Sequence, residues 1–188
     1  MDEKFSIDSS EPLAYIKICN YLFSELQPII SENRPIIFLC IGTDRSTGDS
    51  LGPLIGYLCK SKIHIYGSLE NPIHAKNLSD VINKINVAFK RPYIIAIDSC
   101  LGKIHNIGKI YINKKPLRPG LALNKDISPV GDMSILGIVN ISGNFEFLVL
   151  QNTRLYMVMQ LADIISKGIY HFSLKCNKVH SYENLIDI

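Results

Sequence analysis

The sequence predicts an α/β fold, a three-layer α/β/α sandwich with a mostly parallel sheet, and three observations carry that prediction. Ile36–Ile41 and Tyr93–Ile97 are continuous apolar runs, the pattern of strands buried on both faces. The stretches between them carry apolar residues at helical spacing, so the middle of the chain reads β-α-β-α-β. The 188 residues suit one domain, 1–188, and a chain of this size buries roughly 70% of its unfolded surface.

Residues 1–9 read as a short polar lead, after which Ser9 or Ser10 caps a helix that takes Pro12 in its first turn. Leu13, Ile16, Cys19, Leu22, Leu26 and Ile29 form its apolar stripe. Pro35 ends the connection into the strand Ile36–Ile41, and the polar loop 42–50 follows. Gly52 and Pro53 open a helix to about Lys60, then Ile63–Gly67 reads as a short strand. Ala75–Lys90 reads as a helix with Leu78, Ile82, Ile85 and Phe89 inward, and Tyr93–Ile97 as a strand closed by Asp98. Ile107–Ile112 and Met133–Ile141 are further strands. Between them, 113–132 is a long loop rich in Pro and Lys, expected to be mobile and to border the site as a lid. A last helix runs from about Asn152 to Lys167, with Gly168 as its stop.

Composition excludes several classes. A net charge of +3 is too small to argue for nucleic acid. The longest apolar run, Ile36–Ile41, is far short of the roughly 18 residues of a membrane span. Met1-Asp2-Glu3-Lys4 is acidic where a secretory signal is basic and then apolar. Five widely spaced cysteines contain no C-x-x-C pair, so they read as small buried hydrophobes in a reducing cytoplasm.

Ligands of open parallel sheets bind outside the carboxyl ends of the strands. Two acids leave such ends here, Asp49 in the loop after the first buried strand and Asp98 after the later one. Two carboxylates in one crevice hold a metal, or share a proton and activate water. The same pattern fits an Asx-turn at Asp49 and a local turn cap at Asp98. A P-loop is excluded, because Asp49 stands where its lysine belongs, and no G-x-G-x-x-G occurs. Gly48-Asp49-Ser50-Leu51-Gly52 matches G-x-S-x-G and spells the GDSL esterase signature, with Ser50 as nucleophile and His171 or His180 as base. Seven residues separate the strand from that motif's Asp49, where a nucleophile elbow turns straight off its strand.

The run Cys40–Pro53 resembles the signature of the YyaC-type sporulation proteins of spore-forming bacteria. Ala96–Gly102, Val130–Asn140 and Leu150–Leu155 resemble the same family, so the likeness spans residues from about 36 to 165. That family is similar, more remotely, to the spore germination protease and the hydrogenase maturation endopeptidases. The resemblance implies a hydrogenase-maturation-protease-like (phosphorylase/hydrolase-like) sandwich. Those relatives carry an acid three residues before a glycine in the first strand-to-helix loop, as Asp49 precedes Gly52, and a second aspartate at a later strand end, matched by Asp98. The maturation enzymes add a downstream histidine for nickel, and this chain has none between His105 and His171.

The expectation that follows is a sporulation-associated, peptidase-like hydrolase in which Asp49 and Asp98 activate water on a peptide bond. Thr43, Asp44 and Arg45 would shape the crevice, and Arg45 would bind a substrate carboxylate or hold an aspartate ionised. Asp132 stands as a third acid for substrate binding or as a turn cap. No cofactor is expected, with a divalent metal between Asp49 and Asp98 as the variant left open. The expected partner is a protein or peptide substrate, not nucleic acid or membrane. A homo-oligomer is open, since the N-terminal helix fits its own sheet or a second subunit. The alternatives are a non-catalytic peptide-binding protein on this fold and the Ser50 esterase.

Overall fold

The computed structural model describes residues 5–59, 63–119 and 128–186, with side chains described to residue 177. Six strands form one sheet: β1 (Phe5–Asp8), β2 (Ile36–Cys40), β3 (Ile65–Tyr66), β4 (Tyr93–Gly102), β5 (Lys109–Asn113) and β6 (Met133–Ile141). Their spatial order is β1-β5-β6-β4-β2-β3. Strands β6, β4, β2 and β3 are parallel, while β5 pairs antiparallel with β6 and β1 antiparallel with β5. The helices are α1 (Ala14–Glu25), α2 (Gln27–Ser31), α3 (Leu51–Leu58), α4 (Leu78–Ala88), α5 (Glu146–Gln151) and α6 (Leu155–Ile186).

Strand alternation divides the core in two, because successive side chains point to opposite faces. Phe38, Cys40, Ile95 and Ile97 join Ile18, Leu22, Leu51, Ile55, Leu161 and Ile165 of α1, α3 and α6 on one face. Ile37, Leu39, Ile94 and Ala96 join Leu78 and Ile85 of α4 on the other. Both faces of β2 and β4 are therefore covered, which is why their sequences are apolar without alternation. The three-layer α/β/α sandwich read from the sequence is the fold of the chain.

The details correct the sequence reading in five places. Phe5–Asp8, read as polar lead, is an edge strand whose Ile7 is buried. The first helix starts at Ala14, because Ser10 spends its amide and hydroxyl on Asp8 Oδ1 and caps nothing. It also breaks at Leu26, where α2 begins with Pro28 in its first turn. Gly168 does not stop α6; a Cβ there would stand 2.7 Å from Ile18 Cγ2, so the glycine lets α1 and α6 approach closely. Finally, the loop 113–132 leaves the sheet at the amino edge of the parallel strands, where Asn113 pairs with Ser134. Leu117 and Val130 close its base with two backbone hydrogen bonds of 2.8 and 2.7 Å. The described ends of that loop therefore lie opposite the carboxyl edge, and the lid expectation fails for them; its centre, 120–127, lies outside the described residues.

Candidate functional site

Strands β2 and β4 have unequal lengths, and that mismatch builds the site. Cys40, the last residue of β2, pairs with Ile97, and the Ile41 amide donates to the Ile97 carbonyl at 2.8 Å. β4 continues for five more residues, paired with β6 from Asp98↔Leu136 to Gly102↔Ile141. Asp98 thus stands where β2 stops, at the carboxyl edge of the sheet. It does not close its own strand, as the sequence reading had it. Past Ile97 the continuous apolar run ends, yet pairing to β6 keeps the backbone extended.

The loop 42–50 brings Asp49 to the same edge. The Gly42 amide donates to Ile73 O at 2.7 Å, and the Thr43 amide donates to Asp49 O at 3.0 Å, so the loop closes on itself. A Cβ on Gly42, at φ 140°, would meet that Asp49 oxygen at 2.0 Å. Gly52 similarly lets the start of α3 seat against Ile41, where a Cβ would lie 2.1 Å from the carbonyl oxygen. Asp49 occupies the middle of a 3-10 turn, Gly48–Ser50, that runs directly into α3.

The two carboxyls sense each other. Burial pushes Asp49 up to about 6, with the Thr43 backbone acting weakly the other way. Asp98 rises well above the ordinary carboxylate value, first through burial and then through repulsion by Asp49. The Ser99 amide opposes this by donating to Asp98 Oδ1 at 2.7 Å. With Oδ1 so engaged, a proton on Asp98 belongs on Oδ2. Repulsion between like charges in a poorly solvated crevice favours keeping a proton on Asp98 while Asp49 is ionised.

The other predicted residues divide. Thr43 lies in the loop that closes on Asp49, and its Oγ1 accepts the Arg45 amide at 3.3 Å. Asp44 and Arg45 are exposed beyond it, and among the described residues Arg45 forms no ion pair. The causes that shift Asp49 and Asp98 are burial, the Asp49 charge and the Thr43 and Ser99 amides, and Arg45 is not among them. Asp132 is at the wrong edge. Its Oδ2 accepts the Ile94 amide at 2.8 Å, four residues before Asp98 on β4, a separation of about 13 Å along a strand. Ser50 is buried and its hydroxyl donates to Thr47 O at 2.7 Å, while His171 packs on the Tyr15 ring. The Ser50 hydroxyl is thus turned inward to the backbone, away from the exposure a nucleophile needs.

Sequence reasoning missed α5, which supports the Asp49 turn. A Cβ on Gly48 would stand 2.8 Å from Leu150 Cδ2 and 2.9 Å from Thr153 Oγ1, so turn and helix end touch. Thr153 Oγ1 donates to Val149 O at 2.8 Å, and Asn140 Nδ2 reaches Thr153 Oγ1 at 3.2 Å. This ties the end of β6 to the helix that backs Asp49. The signal was present: Asn140 and Thr153 both fall inside the stretches that carry the family resemblance.

For a metal, the donors are few. Among the described residues no three His, Cys, Asp or Glu side chains converge.

The chain is 46% identical over 155 residues to Uncharacterized protein YyaC of Bacillus subtilis (strain 168), an alignment covering 77% of this chain and 76% of that one. Among solved structures it is similar to the NiFe hydrogenase maturation protease HycI from Thermococcus kodakarensis KOD1, with a TM-score of 0.45 and 15% identity, over 71% of this chain and 91% of that one. Residues 6–168 match the family described as "Protein of unknown function (DUF1256)", and the chain belongs to that family.

Proposed function

We propose that this protein is a peptidase-like hydrolase in which Asp49 and Asp98 share a proton and activate water on a peptide carbonyl. The observation that carries the reading is the electrostatic coupling of two carboxyls at one sheet edge, both with raised proton affinity. Asp49, the more acidic partner, is ionised first and takes a proton from water. The resulting hydroxide adds to the carbonyl carbon. Asp98, protonated on Oδ2, gives its proton to the leaving amine nitrogen as the C–N bond breaks. The proton held by Asp49 then restores Asp98, so the pair ends as it began. No step is routed through a metal. The likeness to Uncharacterized protein YyaC of Bacillus subtilis fits the sporulation-associated role we assign, and five thiol cysteines suit the reducing cytoplasm in which we place it.

Incubation of a random-sequence decapeptide library with the protein, read by mass spectrometry for new termini, tests the proposal. Cleavage is expected in the presence of a chelator, and Asp49→Asn or Asp98→Asn each abolish it. The acid limb of kcat/KM should fall near pH 6, where Asp49 ionises, and a basic limb should follow where Asp98 loses its proton. Full cleavage by either Asn variant would remove the acid pair from the reaction, and peptide binding with no cleavage by the wild-type chain would leave binding without catalysis as the surviving reading.

A further inference from the structure

We infer that Cys19 and Cys176 are a redox-sensitive pair, a modification site at which a small disulfide such as glutathione disulfide turns two thiols into a bond that staples α6 to α1. The inference stands apart from the peptidase reading.

Helical spacing places both cysteines at one helix interface. Tyr15, Cys19 and Phe23 follow one another at intervals of four along α1, so they share a face. The Tyr15 ring lies 5.1 Å from that of His171, and the Lys175 ammonium sits 4.5 Å over the Phe23 ring. Cys19 is thus flanked, one turn on either side, by residues that touch α6. On α6, Ile165, Ile169, Phe172 and Cys176 recur at intervals of four and three. The first three are buried in the core that includes Cys19, and Cys176 packs against that core. Lys175, its neighbour, donates to Oδ1 of Asn20, the residue after Cys19, at 3.0 Å.

The helices come close enough for a bond. Gly168 already draws them together, since a Cβ there would stand 2.7 Å from Ile18 Cγ2. Packed helices lie about 8–10 Å apart with Cα atoms at a radius of about 2.3 Å, so facing Cα atoms stand roughly 3.5–5.5 Å apart. That overlaps the roughly 4.4–6.8 Å span of a disulfide. The thiols also sense each other: burial and then the Cys19 charge push Cys176 up to about 11, with Lys175 among the groups that oppose the rise.

Exposure sets the order of events, because Cys176 is partly exposed and Cys19 is buried. The Cys176 sulfur loses its proton and attacks glutathione disulfide, and one glutathione leaves as the thiolate that takes up a proton. The Cys19 sulfur, likewise deprotonated, then attacks Cys176; the mixed bond breaks, the protein S–S bond forms and the second glutathione leaves with a proton. Two protein thiols are oxidised and one glutathione disulfide is reduced to two thiols. Cys40 and Cys59 also lie near each other, but both are buried and Cys59 Sγ donates to Ser166 O at 3.7 Å, so this oxidant does not reach them.

The test incubates the folded full-length chain with glutathione disulfide at mildly alkaline pH, blocks free thiols, and maps unreduced proteolytic peptides by mass spectrometry. The peptides carrying Cys19 and Cys176 should appear joined, and the thermal transition should rise by several degrees, both reversed by dithiothreitol. Cys19→Ala should leave Cys176 as a stable glutathione adduct. Cys176→Ser, at a partly exposed position, should abolish both the joined peptides and the thermal shift. A lasting glutathione adduct on Cys176 of the wild-type chain, a bond from either cysteine to Cys100, or two thiols that stay free overturns the pair. None of these readouts uses peptide cleavage, so a failed library digest defeats the peptidase reading alone.

Discussion

Asp98 makes the native state bind a proton that the unfolded chain gives up. Its folded proton affinity exceeds the unfolded one, so the native state holds more protons between about pH 4 and the folded pKa. Stability therefore falls as pH rises through that window and levels off above it. Asp98→Asn removes the titration, so its melting temperature should exceed the wild type's at pH 8 and the gain should vanish near pH 4. A gain of about 1–2 kcal/mol corresponds to several degrees for a domain of this size. Thermal scans at the two pH values check it; a gain independent of pH would place the effect in packing. Gly42 has the opposite sensitivity. An alanine there meets the Asp49 carbonyl at 2.0 Å on top of an unfavourable φ, so Gly42→Ala should cost at least about 2 kcal/mol in urea unfolding and displace Asp49.

At the scale of elements, the parallel strands and α3, α4 and α6 were legible because burial on two faces or along one stripe leaves a periodic mark. What was missed lacks such a mark. β1 is four residues long with one buried side chain, too short for alternation to stand out from a polar lead. α5 is six residues long, with Phe147 and Leu148 exposed and only Leu150 packed on the core, too short an inward stripe to find. Gly168 read as a terminator because glycine at a helix end and glycine at a helix crossing look alike in sequence. Its role here is packing, which gives a net prediction from two magnitudes. Gly168→Ala overpacks Ile18 at about 1–3 kcal/mol, while the helical preference for alanine returns about 1 kcal/mol. The variant should lose stability in chemical unfolding, whereas Gly143→Ala, with nothing within 4 Å of its Cβ, should be near neutral.

Across the whole molecule, the two edges of the sheet do different work, and a pair of aspartates on the same strand pairing shows it. Topology alone located Asp49 and Asp98 at the carboxyl edge, since both follow apolar strand runs. It gave no such guide for Asp132, whose place depends on which way the antiparallel β5 turns the chain. At the amino edge Asp132 accepts the Ile94 amide while its own amide donates to Ile94 O at 2.7 Å, locking β6 to β4 at its start. Its side chain is the acceptor for a strand N–H, and replacing it orphans that donor. Asp132→Ala should therefore lower stability by about 1–2 kcal/mol and leave peptide cleavage intact in the surviving folded fraction. Asp98→Asn should raise stability at neutral pH and abolish cleavage. Opposite signs on stability, together with opposite effects on turnover, are what a structural acid and a functional acid should give. Unfolding curves and the library digest, run on both variants at one pH, read all four outcomes. Loss of cleavage in folded Asp132→Ala would mean that the amino edge reaches the reaction, and the division of labour between the edges would fall with it.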